Sequence, residues 1–114
     1  MSIQIITEKI TRAEVKKIGG EWYPDMVKGV VDVKREVIAL GGEYHMDANH
    51  VLLADGSEQR NVWGFNIYPD RTDGGWIEFR SLINIRPAQG SRSMVLKDVV
   101  LCGQMRAVIE KLIV

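Results

Sequence analysis

Two alternating runs, VWGFNIYP at residues 62–69 and WIEFRSLINIR at 76–86, flank the turn-forming segment DRTDGG. This pair constrains the fold more than any other feature. A period of two is the signature of a half-buried strand, and a slip of one residue would turn the large apolar side chains outward. Pairing positions whose numbers sum to 144 sets Ile67 opposite Ile77, Phe65 opposite Phe79 and Trp63 opposite Ser81 on one face. The other face then carries Tyr68 beside Trp76, Asn66 beside Glu78 and Gly64 beside Arg80.

The rest of the chain supplies elements to pack against this hairpin. MVKGVVDV (26–33) and VIALGGEY (37–44) flank the polar triplet Lys34-Arg35-Glu36 and read as a second hairpin. Pairing Val33 with Val37 puts Val31 opposite Ala39 and Val30 opposite Leu40, apolar on both faces, as expected for strands near the middle of a sheet. SIQII at the start reads as a short strand. Thr11 and Glu14 have capping-box spacing, so a helix is predicted from Arg12, with Val15, Ile18 and Trp22 at helical spacing and Gly19-Gly20 ending or weakening it. DANHVLLADGS reads as a short helix between Asp47 as N-cap and Gly56 at the C-cap, with a strand through VLL as the alternative. The last segment begins a helix at Asp98, with Leu101, Met105, Val108 and Leu112 in one stripe. The order β-α-β-β-α-β-β-α predicts an α+β fold. Residues 1–114 form one domain, with a single mainly antiparallel sheet of about five strands and the helices packed on one face.

Composition excludes several function classes. Hydrophobic residues are 46% and charged residues 26%, too apolar for a disordered chain. No apolar run exceeds four residues, so no membrane span or signal-peptide core is expected, and a cytoplasmic setting is. Formal net charge is +0, which argues against binding nucleic acid through a global field. The single Cys102 has no disulfide partner in the chain and falls in an apolar helical stripe. No cofactor fingerprint is present, and no cofactor is expected.

Three stretches carry chemistry. EYHMDANH (43–50) holds both histidines, with Glu43, His45 and Asp47 on one side if it is strand. A capped strand-to-helix junction with solvent-facing histidines is the preferred reading. Metal ligation by His45, Asp47 and His50, or His45 as a general base oriented by Glu43, are the alternatives. RSLINIRPAQGSRSMVLK (80–97) contains Arg80, Arg86, Arg92 and Lys97 with no acid, and Gln89 and Ser93 lie in its polar loop. Arginine forks and hydroxyls near a helix start suit an anion or phosphate, against a plain solvated loop. Finally, the polar face of the 62–86 hairpin gathers Asn66, Tyr68, Trp76, Glu78, Arg80, Asn84 and Arg86, which suits stacking of bases or a dimer contact.

DMVKGVVD, GGEYHMDA, LLADGS, NVWGFNIYP, WIEF and INIRPAQGSRS span most of the chain. With these segments the chain resembles members of an uncharacterised prokaryotic protein family, a domain of unknown function. The resemblance implies one fold unit in a prokaryotic cytosolic protein and supplies no mechanism.

The leading expectation is a small binding module with a basic anion- or nucleotide-binding loop near Arg86–Arg92. Arg80, Arg86, Gln89, Arg92, Ser93, Tyr68 and Trp76 are its ligand residues, and a small anionic ligand or a nucleic acid is its partner. The alternative is a small hydrolytic or nuclease-like enzyme using His45 and Glu43 with an arginine. A homodimer is also expected. Leu112-Ile113-Val114 and the stripes of the last helix make a wide apolar face, and Trp76 and Tyr68 lie opposite the hairpin core.

Overall fold

Five strands form one sheet in a computed structural model that describes residues 3–114. They are β1 (Gln4–Ile6), β2 (Val27–Asp32), β3 (Val37–Leu40), β4 (Val62–Ile67) and β5 (Ile77–Glu78). Their spatial order is β1-β3-β2-β4-β5, and every neighbouring pair is antiparallel. Three helices, α1 (Arg12–Gly19), α2 (His45–Ala54) and α3 (Val99–Leu112), complete the α+β fold. Ser2, part of the expected first strand, lies outside the described residues.

Local chemistry sets the ends of α1 and α3 as expected. The Thr11 hydroxyl accepts from Glu14 N–H at 3.1 Å and the Glu14 carboxylate accepts from Thr11 N–H at 3.3 Å. Asp98 Oδ1 accepts from the N–H groups of Val100 and Leu101. Met105, Val108, Ile109 and Leu112 of α3, with Val15 of α1, are buried against Val31, Ile38, Leu40, Trp63, Phe65 and Ile67 of the sheet. Each such side chain fully removed from water contributes about 1.5–3 kcal/mol. Ile113 is buried as well and bridges to Ile10, so the C-terminal part of the apolar face of α3 is covered within the chain, while Val99 and Val100 of its first turn are exposed.

The helices do not share one face. Ala48 and Leu52 of α2 pack with Val30, Val37, Ala39 and Val62, the residues that alternate with the first set along each strand. Central strands apolar on both sides require a layer on each, so α2 lies opposite α1 and α3. The alternation in β2 and β3 makes both faces apolar, and a single helical layer would leave one of them bare.

Two strand boundaries also differ from expectation. In the first hairpin Asp32 faces Val37, Val31 faces Ile38 and Val30 faces Ala39, one residue from the expected register. The cause is the Asp32 carboxylate, whose Oδ1 accepts from Lys34 and Arg35 N–H at 2.9 Å and builds a four-residue turn. β3 stops at Leu40 because Gly41 and Gly42 turn the chain at φ +108° and +88°.

The second hairpin keeps the expected register where it pairs, with Ile67 facing Ile77 and Asn66 facing Glu78. It then ends. Residues 81–86 are not strand, because the Asn84 carboxamide takes the place of a neighbouring backbone. Its Oδ1 accepts from Gly64 N–H at 2.8 Å and its Nδ2 donates to Gly64 C=O at 3.0 Å. Gly64 permits this approach: a Cβ there would lie 2.5 Å from Ser81 Cβ. Asn84→Ala leaves two buried backbone groups unpaired and is expected to cost about 3 kcal/mol. Urea denaturation measures it, and a loss under about 1 kcal/mol would contradict this role.

Candidate functional site

With α2 covering one end of its face, the β4–β5 end of that face stays open. A row of polar residues crosses it, since Lys28 of β2 faces Asn66 of β4, which faces Glu78 of β5. The row floors a cleft of about 640 Å³. The first turn of α2, with Tyr44, His45 and Met46, forms one wall, and Arg80, Ser81, Leu82, Ile83 and Met94 form the other.

The side chains in this cleft are held in defined roles. His45 is buried, and its Nε2–H donates to Phe65 C=O at 2.9 Å; a carbonyl only accepts, so in the neutral ring Nδ1 carries the lone pair. Burial pulls the His45 pKa below its ordinary value, helped by the charge on Lys28 and opposed by the Phe65 carbonyl, Asn66 and Glu78. Glu78 Oε1 accepts from Asn66 Nδ2 at 2.9 Å and from the Tyr68 hydroxyl at 3.0 Å. Burial, then that bond and the Glu78 charge, raise the Tyr68 pKa and keep it a donor. Asn66 Oδ1 is buried and makes no hydrogen bond of ordinary geometry among the described residues, although the Asn66 side chain lies near enough to His45 to favour the charged ring. Arg80 and Lys28 have no carboxylate partner among them either; the Lys28 ammonium lies 5.0 Å from the Tyr23 ring and 5.6 Å from the Tyr44 ring.

The residues expected in one site are distributed over several. His45, Tyr68 and Arg80 line this cleft. Glu43 is exposed and lines a separate cleft with Tyr44 and Asp47, so the Phe65 carbonyl, and not Glu43, orients His45. α2 begins at His45 with Tyr44 as its N-cap, three residues before the expected Asp47 cap, which buries His45 and leaves His50 exposed. Both the strand through residues 43–47 and a pair of solvent-facing histidines are therefore corrected. Among the described residues no three His, Cys, Asp or Glu side chains gather as metal ligands.

Gln89, Arg92 and Ser93 line a different cleft of about 590 Å³ with Arg60, Trp63, Lys97 and the start of α3. Arg86 is structural. Its Nε donates to Ile83 C=O at 2.9 Å and its terminal nitrogens donate to the carbonyls of Gln59 and Val62 and to the Gln89 amide, while the guanidinium lies 4.1 Å over the Trp63 ring. Burial lowers its pKa from the ordinary arginine value. Trp76 belongs to the core, because a 3-10 turn at Gly74–Trp76 breaks the alternation and turns its ring inward under Arg12, 3.9 Å from the ring centroid. Of the residues expected to join a homodimer, Trp76, Met105, Val108, Ile109, Leu112 and Ile113 are covered within the chain, while Tyr68 lines the open cleft and Val114 is exposed. Cys102 is partly buried against the core, and burial followed by the Asp98 charge raises its pKa.

Sequence reading missed Lys28 and Tyr44 as members of the cleft. Lys28 reaches it only through the β2–β4 pairing, a contact between distant segments that no local pattern signals. Tyr44 reaches it only because α2 starts early.

Two outcomes follow from this placement. Arg86→Ala removes the donor to the Ile83 and Val62 carbonyls, while Gln59 C=O keeps the Val62 N–H, and is expected to destabilise the fold by about 3 kcal/mol, read by urea denaturation; a variant as stable as wild type would return Arg86 to the ligand-binding candidates. The second concerns pH. His45 is buried neutral, so between its lowered folded value and the ordinary 6.5 the unfolded chain binds more protons. Its contribution is full above 6.5 and is lost as pH falls through that window. His45→Gln is expected to flatten the fall in urea midpoint between about pH 7.5 and 5.5. An equal slope in both proteins would rule out a neutral buried His45.

No helix among the described residues is long and apolar enough to cross a membrane. No curated protein and no solved structure matches the chain. A family model described as Protein of unknown function (DUF5674) matches residues 4–112, the whole sheet and all three helices, and the chain belongs to that family.

Proposed function

We propose that this domain is a binding module that holds a small anionic organic molecule in the cleft between α2 and β5. The observation that carries the reading is the unpaired Asn66 Oδ1 in an otherwise ordered polar floor. A buried acceptor without a partner costs about 1–3 kcal/mol, and a bound donor recovers it. Arg80 and Lys28, without a carboxylate partner among the described residues, suit the anionic group of such a ligand. Tyr44, Met26, Met46, Leu82 and Met94 suit its apolar body. The hydrolytic alternative loses Glu43 as orienter of His45 and would need Glu78 and Arg80 in its place.

A second reading keeps the anion at the 89–97 loop. Arg92 and Lys97 line that cleft without a carboxylate partner among the described residues, which favours it. One experiment separates the two. Calorimetric titration with a panel of nucleotides, phosphates and carboxylates is expected to find a ligand whose affinity falls about tenfold or more in Arg80→Ala and stays within about twofold in Arg92→Ala. The reverse pattern selects the loop, and no binding to wild type across the panel removes both.

A further inference from the structure

The inner end of the cleft consists of hydrogen-bond acceptors. Asn66 Nδ2 donates to Glu78 Oε1 and to Arg80 C=O at 3.4 Å, which fixes the amide so that Oδ1 points away from both and is left without a partner. His45 spends its one neutral-ring proton on Phe65 C=O, so Nδ1 accepts. Glu78 Oε1 takes two bonds from protein donors, while Oε2 takes none among the described residues. The Tyr68 proton is committed to Glu78. The Ser81 hydroxyl oxygen accepts from Ile83 N–H at 3.2 Å, which leaves its proton as the neutral donor nearby. The charged donors, Lys28 and Arg80, line the same cleft.

We infer that the ligand presents an amidine-type edge to this floor: a planar group with two N–H donors flanking one carbon, joined to an anionic group that meets Arg80 and Lys28. Asn66 Oδ1 and Glu78 Oε2 receive the two N–H groups. Flat walls of Tyr44 and methionine suit a planar group, because thioethers and rings both pack well on π-faces. A carboxylate beside a neutral amide oxygen rejects a ligand edge carrying carbonyl oxygens, since buried lone pairs would then face one another. This inference rests on the reading of the cleft as the ligand site and adds which chemistry fills its inner end.

An aminated purine nucleotide and a guanidinium amino acid both carry this edge, and matched pairs distinguish them. Titration compares guanosine 5′-monophosphate with inosine 5′-monophosphate, which lacks only the exocyclic amine, and arginine with citrulline, which replaces one N–H donor by a carbonyl. In at least one pair the amidine-bearing member is expected to bind about tenfold or more tightly, as for sites built to hydrogen-bond a group that the analogue lacks. Glu78→Gln keeps an oxygen for Asn66 and Tyr68 but can turn an N–H toward the ligand, and the preference is expected to vanish. Two members of both pairs binding equally, or a preference that survives Glu78→Gln in the folded variant, overturns the inference. Should Glu78→Gln fail to fold, the wild-type pairs decide alone. Equal binding within each pair that still requires Arg80 leaves the cleft as the ligand site and removes only the amidine edge. No binding by any of the four compounds removes the amidine edge too, and the broader anion panel then decides the fate of the cleft.

Discussion

The Asn84 carboxamide bonded to both backbone groups of Gly64 is the interaction on which the rest of the architecture turns. β4 needs a partner on its outer edge, and β5 supplies one for only two residues. Beyond Glu78 the chain leaves the sheet, yet the buried N–H and C=O of Gly64 cannot be left bare. Asn84 meets them with one side chain in place of a strand. That substitution frees residues 79–96 to fold back on themselves, where Ser81 N–H donates to Met94 C=O and Leu96 N–H to Phe79 C=O. Met94 then lines one cleft and Val95 the other. Arg86, tied to the carbonyls of Gln59, Val62 and Ile83, locks the returning chain against the end of β4.

The two sheet faces divide the work. One is closed by α1 and α3 over a continuous apolar core, which accounts for most of the burial. The other is closed by α2 only over β3, β2 and the start of β4, leaving the Lys28–Asn66–Glu78 row uncovered. A sheet optimised for stability alone would carry apolar residues there under a helix. A polar row with a buried, unpartnered amide oxygen departs from that optimum, and such departures concentrate at functional sites.

What could be read from the sequence was whatever local chemistry decides. The Thr11 box and the Asp98 cap are contacts within four residues, and both helices start where those residues say. The 67–77 and 66–78 pairs follow from alternation beside a short turn. The errors lie where a side chain outbids the backbone pattern. Asp32 builds its own turn and shifts a register; Asn84 ends a strand whose alternation runs on to Arg86; and Gly41-Gly42 start α2 early enough to bury His45. The candidate site was half legible. Asn66, Tyr68, Glu78 and Arg80 stood together on the polar face of the hairpin. Lys28 and His45 join them through pairings between remote segments, and Trp76 and Arg86 leave them for the core and the backbone.

The central claim is that the open half of the sheet, and not the arginine loop, receives the ligand. Backbone and side-chain amide shifts in a 1H–15N spectrum, recorded while titrating the tightest compound from the anion panel, test it most directly. The account predicts the largest changes at Lys28, His45, Asn66 and its side-chain amide, Tyr68, Glu78 and Arg80. Changes confined to Gln89–Lys97 and the start of α3, with the Asn66 amide unmoved, would contradict it.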